Sequence, residues 1–353
     1  MSILFAILIF SLIVFAHELG HFVAAKLSGV QVNEFAMFMG PALVKWKRGE
    51  TQYSIRCIPF GGYCAMEGED SDTDNPRSFQ KAARWKRLII LAAGCFMNFV
   101  LALLLMVVVY LPVKEAVVPV ISSFESFATV DGENGLQVGD EIVAFDGEKI
   151  RVRSDFDMML MLNPGDTHDI TVKRNGKLVE LQNFLMEQHP VTNEDGTQGY
   201  RYGIVFTSKQ LNIGDRIDMG WRQFLNSGRQ VRISLQMLFN GSAGVSDLSG
   251  PVAIVDMMSE TAESSESTLD AVMNLLFFAG ILSTNLGIMN LLPIPALDGG
   301  RIFALAVTTA IEKITKKKVN PKYEGYIHAV GLVLLMALMV FVIFKDIFML
   351  FKG

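Results

Sequence analysis

The sequence predicts a polytopic α-helical membrane protein with four transmembrane helices, a membrane-associated β-hairpin region on the cytoplasmic side and one extracytoplasmic α+β domain. Three observations predict it. The 353 residues are 51% hydrophobic, and the mean hydropathy of +0.36 exceeds that of an ordinary soluble domain. Four apolar stretches, residues 3–25, 88–111, 271–293 and 329–350, each reach the ~20 residues needed to cross a bilayer. Basic residues crowd two of the three connecting segments, which fixes an orientation.

The first stretch has no basic residues before it and carries a motif that cleavage would discard, so it is expected to be a retained helix. Lys and Arg recur from Lys26 to Arg87 and again from Arg301 to Lys322. Both segments are therefore expected in the cytoplasm, with residues 112–270 and both termini outside. A net charge of -5 argues against nucleic acid as a partner. Cys57, Cys64 and Cys95 fall in the reducing compartment or the second span, where no disulfide is expected. They lack the spacing of a cysteine zinc site and read as small buried residues.

Within the first span stands His17-Glu18-Leu19-Gly20-His21. At ~100° per residue the two histidines project from nearly the same helical face, one turn apart. Two imidazoles so placed can hold one Zn²⁺, and Glu18, beside them, is free to take a proton from water. Ionisable groups are costly in hydrocarbon and are functional there by default. Counting from Ile3 at ~1.5 Å per residue puts His17 on the order of 21 Å deep, in the cytoplasmic half.

A catalytic zinc takes three protein ligands, so the histidines need a partner. Asp298 is the best candidate, in the run from Asn290 to Gly300, where Pro293 and Pro295 interrupt the third span. Irregular backbone at membrane depth survives only where protein or a water-filled cavity covers it. The competing role for Asp298 is to cap the helix that follows, over residues 301–314.

Between the first two spans, residues 35–47 and 52–66 read as strands joined by Arg48-Gly49-Glu50. The second ends in Phe60-Gly61-Gly62-Tyr63, followed by an acidic loop over residues 67–72. Such strands either offer an edge to an extended peptide or form a plain structural hairpin. Outside, residues 135–150 resemble the core of a PDZ domain, with Gly139 and Gly147 at turns and further strands at 169–174 and 178–184 joined by Asn175-Gly176. That module either captures chain ends or blocks access. Trp221, Phe224, Leu225, Val231, Leu235, Leu238 and Phe239 recur at helical spacing, an amphipathic helix suited to a membrane surface or to core packing. Residues 241–250 read as a small-residue loop and 259–267 as a polar linker.

Together these motifs, with Gly68-Glu69-Asp70 and Gly250-Pro251, make the chain resemble the site-2 protease family of intramembrane zinc metalloproteases, on the bacterial regulator-of-sigma-E-protease branch. The resemblance covers most of the chain. It implies Asp298 as third zinc ligand, Glu18 as general base, and Asn290, Gly61 and Gly62 as groups near the substrate strand. It implies cleavage of single-pass membrane proteins, such as anti-sigma factors or signal-peptide remnants, in the bacterial inner membrane.

The implied organisation is residues 1–26 as first helix with the zinc motif, 27–87 as cytoplasmic β region and 88–111 as second helix. Residues 112–190 follow as the PDZ-like domain, 191–268 as amphipathic helix and linker, 269–300 as third helix, 301–328 as cytoplasmic loop or helix and 329–351 as fourth helix. A membrane zinc transporter would instead spread polar residues along a path, and an inactive scaffold would use the PDZ-like module alone.

Overall fold

The computed structural model describes residues 2–69, 73–130, 132, 135–163, 165–192, 198–242, 244, 250–265, 267–317 and 321–350. The chain forms two compact units, Met1–Val109 with Ser227–Gly353, and Tyr110–Asn226. Helices α1 (Ser2–Ser28), α2 (Arg84–Tyr110), α6 (Thr268–Leu291) and α8 (Pro321–Leu350) each contain a segment long and apolar enough to span a membrane. Such segments are helical because hydrocarbon offers no partner for backbone N–H and C=O groups, which must pair within the segment.

Small residues let these helices approach closely. A Cβ on Gly20 of α1 would run into the Ala93 carbonyl of α2, and one on Gly287 of α6 would meet the Phe99 ring of α2. Ala6, Ile9, Ile13, Leu105, Leu275 and Ala279 pack in one cluster with Met258. Met258 belongs to α5 (Pro251–Glu263), so the polar linker expected from residue 259 is helical in its first half. Its helix is held from outside the local sequence: Asp346 of α8 accepts hydrogen bonds from the Gly250 and Ala253 N–H groups at 3.4 and 3.1 Å. A carboxylate on these otherwise unpaired donors stabilises the helix start. Most of the expected loop at 241–250 lies outside the described residues, as does 70–72 of the acidic loop.

Strands β1 (Val32–Arg48) and β2 (Thr51–Met66) pair antiparallel through several register shifts. Phe35 stands opposite both Cys64 and Tyr53, so the start of β1 is flanked on two sides. The bends fall at Gly40 and Gly61, with φ of 83° and 78°, a region glycine enters without steric cost. Val32, Phe35 and Cys64 are buried against Ala24, Ala25 and Ile90 of the helices, while Leu43, Val44 and Trp46 toward the turn are exposed. Cys57, whose Sγ lies 3.2 Å from the Cβ position of Gly40 at the first bend, is exposed rather than buried; alternation of faces fails where the register shifts.

In the second unit a sheet runs in the order β10 (Ile204–Gln210), β3 (Glu115–Phe124), β4 (Glu141–Phe145), β6 (Thr167–Arg174), β7 (Lys177–Leu185), with β5 (Glu148–Lys149) on β4. Asn175 and Gly176, with φ of 51° and 80°, make the β6–β7 turn, the left-handed pair a tight hairpin requires. Helix α3 (Arg153–Leu162) buries Phe156 against Phe145 and Phe206. The expected boundary at residue 190 falls short of this sheet, because β10 returns from beyond the hairpin of β8 (His189–Thr192) and β9 (Gln198–Arg201) to pair with β3. The amphipathic helix expected from Trp221 begins earlier, as α4 (Ile213–Phe239). The remaining helix, α7 (Asp298–Thr315), follows α6.

Candidate metal centre

His17 and His21 lie one turn apart on α1, both buried, with their Nε2 atoms 3.2 Å from each other. Asp298 closes the triangle: its Oδ2 is 3.1 Å from His17 Nε2 and 3.2 Å from His21 Nε2. Asp298 is the first residue of α7, and Leu297 holds the capping position, so its carboxylate is directed to the imidazoles rather than to its own helix. Its placement depends on the connector after α6. Ala296 adopts a left-handed φ of 77°, strained for a residue with a Cβ, and its N–H donates to His328 Nδ1 of α8 at 2.9 Å. A Cβ on Gly299 would strike the Leu291 and Leu292 carbonyls, and one on Gly300 the Ile294 carbonyl. Only glycine lets α7 start so tightly against the connector.

The three donor atoms lie within 4.8 Å of one another. Their mutual separations of 3.1–3.2 Å compare with roughly 3.3 Å between ligand atoms on a tetrahedral zinc with bonds of 2.0–2.1 Å. Two imidazoles and one carboxylate are the donor types zinc takes in catalytic sites. The residues present therefore fit the ion.

One face of α2 touches all three. His21 Nδ1 is 2.8 Å from the Ile90 carbonyl oxygen; a carbonyl only accepts, so Nδ1 carries the proton and the Nε2 lone pair is turned to the cluster. His17 Nδ1 is 3.3 Å from the fully buried Asn98 amide. Cys95 Sγ donates to Asp298 Oδ2 at 3.8 Å. Gly94 lies under both rings, where a Cβ would overlap His21 Nε2 and stand 2.7 Å from His17 Cε1.

A cavity of about 410 Å³ opens on this cluster, lined by His17, Glu18, His21, Asn290, Asp298 and Arg301 and by Tyr63–Met66 of β2. Arg301 is paired with Glu69 on its wall. Neither Gly61 nor Gly62 lines the cavity: Gly62 backs Glu18, with a Cβ position 3.5 Å from Glu18 Cγ, and Gly61 faces Met39. Beside the cavity, burial pushes Glu34 up, but hydrogen bonds from Ser54, Arg56, Tyr63 and Gln52 outweigh it and hold the carboxyl at about 2. Burial and the Glu34 carboxylate push the Tyr63 phenol up to about 12.

The profile of peptidase family M50 matches residues 5–338. The chain belongs to this family. A provisionally named zinc metalloprotease of Clostridium perfringens is 37% identical over 98% of this chain and 98% of its own length. Another of Fusobacterium nucleatum is 31% identical over the whole of both chains. The regulator of sigma-W protease RasP of Bacillus subtilis is 28% identical over 98% of each. This M50 chain is a membrane zinc metalloprotease, and Zn²⁺ is its cofactor.

Of the site residues legible in the sequence, His17, Glu18, His21, Asn290 and Asp298 all line the M50 cavity, whereas Gly61 and Gly62 do not. Gly94 and Asn98 carry no motif that marks them in the sequence, and Cys95, buried as expected, adds a contact with Asp298. The available signal was Asn98 itself, a polar side chain in an apolar span, one helical turn after a glycine.

Proposed function

We propose that this M50 peptidase hydrolyses peptide bonds of single-pass membrane proteins inside the bilayer, at a centre where His17, His21 and Asp298 hold one Zn²⁺ and Glu18 is the general base. The observation that carries this reading is the convergence of the three donors on a membrane helix, beside a cavity that Glu18 also lines. When bound, the ion supplies Lewis-acid activation of water and of the scissile carbonyl. Glu18 accepts the proton of the attacking water and delivers it to the leaving amine, so one carboxylate serves both halves of the reaction.

A substrate helix hides its peptide bonds in its own hydrogen bonds and must unwind to be cut. Tyr63–Met66 of β2, on the cavity wall, give an unwound segment a strand to pair with. Asn290, also on the wall, is placed to bond substrate backbone. The active site lies in the cytoplasmic half of the membrane, with both termini outside. The unit around β3–β10 is an extracytoplasmic PDZ-like module whose cleft of about 710 Å³, lined by Arg153, Phe156, Leu160, Tyr200, Ile204 and Phe206, admits a chain end or screens substrates by size. The sigma-W regulator named among the relatives favours anti-sigma factors as a substrate class.

The test is cleavage of a single-pass anti-sigma factor by the purified protein in lipid vesicles. Glu18→Gln should lose at least about 100-fold in rate, within the range that general-base catalysis contributes, at unchanged zinc content. Cleavage by Glu18→Gln at the parent rate overturns the assignment.

A further inference from the structure

We infer that Asn98 is a positioning residue for His17, and that its side-chain oxygen, not its nitrogen, faces the ring when zinc is bound. This rests on the reading of His17, His21 and Asp298 as the zinc ligands. Asn98 is fully buried in α2, and its backbone carbonyl accepts the Ser283 hydroxyl of α6 at 2.8 Å, which locks that turn of α2 against a third helix. Its amide Nδ2 is 3.3 Å from His17 Nδ1, while among the described residues its Oδ1 meets no hydrogen-bond partner.

Those two facts conflict with a metal on His17. An amide N–H facing Nδ1 requires a lone pair there, which places the ring proton on Nε2. Yet Nε2 is the atom that points at His21 Nε2 and Asp298 Oδ2. A nitrogen that binds a metal cannot keep its proton, so the ligating ring carries hydrogen on Nδ1 and needs an acceptor beside it. A half-turn of the Asn98 amide exchanges nitrogen for oxygen with no other movement. Oδ1, the atom without a partner, then accepts the Nδ1–H. His21 already has the equivalent arrangement, its Nδ1–H held by the Ile90 carbonyl. The two ligands would thus be oriented by two carbonyl oxygens of one helix, one from the backbone and one from a side chain.

The two orientations predict opposite outcomes for Asn98→Asp, whose carboxylate is isosteric but only accepts. The experiment measures zinc stoichiometry, and zinc affinity by chelator competition, for the full chain in detergent. The unsubstituted protein should bind one zinc. Asn98→Leu should weaken binding 10–100-fold, the usual loss on removing a partner behind a metal ligand, and Asn98→Asp should keep the parent affinity or exceed it. Asn98→Ala repeats the comparison without added bulk if Asn98→Leu does not elute as the parent does. Equal zinc affinity in the parent and in Asn98→Leu or Asn98→Ala overturns the positioning role. Loss in Asn98→Asp as large as in Asn98→Leu overturns the oxygen-facing orientation. A parent that binds no zinc overturns the ligand reading itself, so the two failures are distinguishable.

Discussion

His21 Nδ1 lies 2.8 Å from the carbonyl oxygen of Ile90, and that one bond turns Nε2 toward His17 and Asp298. Because the acceptor is backbone, the orientation of His21 depends on how α2 packs against α1 rather than on any side chain at position 90. The close approach at Gly20 and Ala93 sets that packing, and the neighbouring Gly94 leaves no room for a side chain beneath the imidazoles.

Gly94→Ala should abolish high-affinity zinc binding. Its Cβ would overlap the His21 ring and crowd His17, and both atoms it meets belong to rings already fixed by hydrogen bonds. Zinc stoichiometry of the purified variant is the measurement; a full complement of zinc would contradict the packing described.

Arg301→Gln should change cleavage while leaving zinc in place. Arg301 and Glu69 pair on the cavity wall, and neither is among the metal donors. A shift in apparent KM for a single-pass substrate, of up to about fivefold at constant zinc content, is expected from loss of a pair of this kind, at most about 1 kcal/mol. Zinc loss in this variant would move Arg301 into the metal centre.

Cys95→Ala should retain zinc and most activity. A thiol is a weak donor, and its 3.8 Å contact with Asp298 is long. A loss of 100-fold or more in zinc affinity would make Cys95 a ligand.

Acid should loosen the β1–β2 region, whose carboxylate contacts are at full strength at neutral pH. Glu34 and Glu50 are both held at about 2, against an ordinary 4.5: burial of Glu34 is outweighed by its hydrogen bonds, and Arg77 and Lys26 hold Glu50. A depressed carboxyl contributes stability that is complete above its unfolded value and is lost as pH falls through the folded one. Protease cleavage within the hairpin should therefore speed up as pH drops from about 5 toward about 3, and Glu34→Gln should flatten part of that dependence. Cleavage rates independent of pH over that window, after correction for the protease, would contradict it.

What could be read in advance follows the range of the physics involved. His17 and His21 were legible because their shared face is a property of one helix, and Asp298 because two prolines mark broken helix at membrane depth. The β6–β7 turn was legible from Asn175-Gly176 alone. Gly94 and Asn98 were not, since nothing local says which face of α2 meets α1; that register comes from contacts at Gly20, Gly287 and Ser283. Helix α5 was hidden for the same reason. Its polar C-terminal half reads as linker, and the carboxylate that holds its first turn is Asp346, supplied by the last helix.

The proposed centre is one zinc held by two imidazoles and one carboxylate, and X-ray absorption at the zinc edge of the purified full chain tests that directly. One zinc per chain is expected, with nitrogen and oxygen ligands at about 2.0–2.1 Å, no sulfur shell near 2.3 Å, and loss of the metal in Asp298→Ala. A sulfur ligand, or full zinc retention in Asp298→Ala, would contradict it.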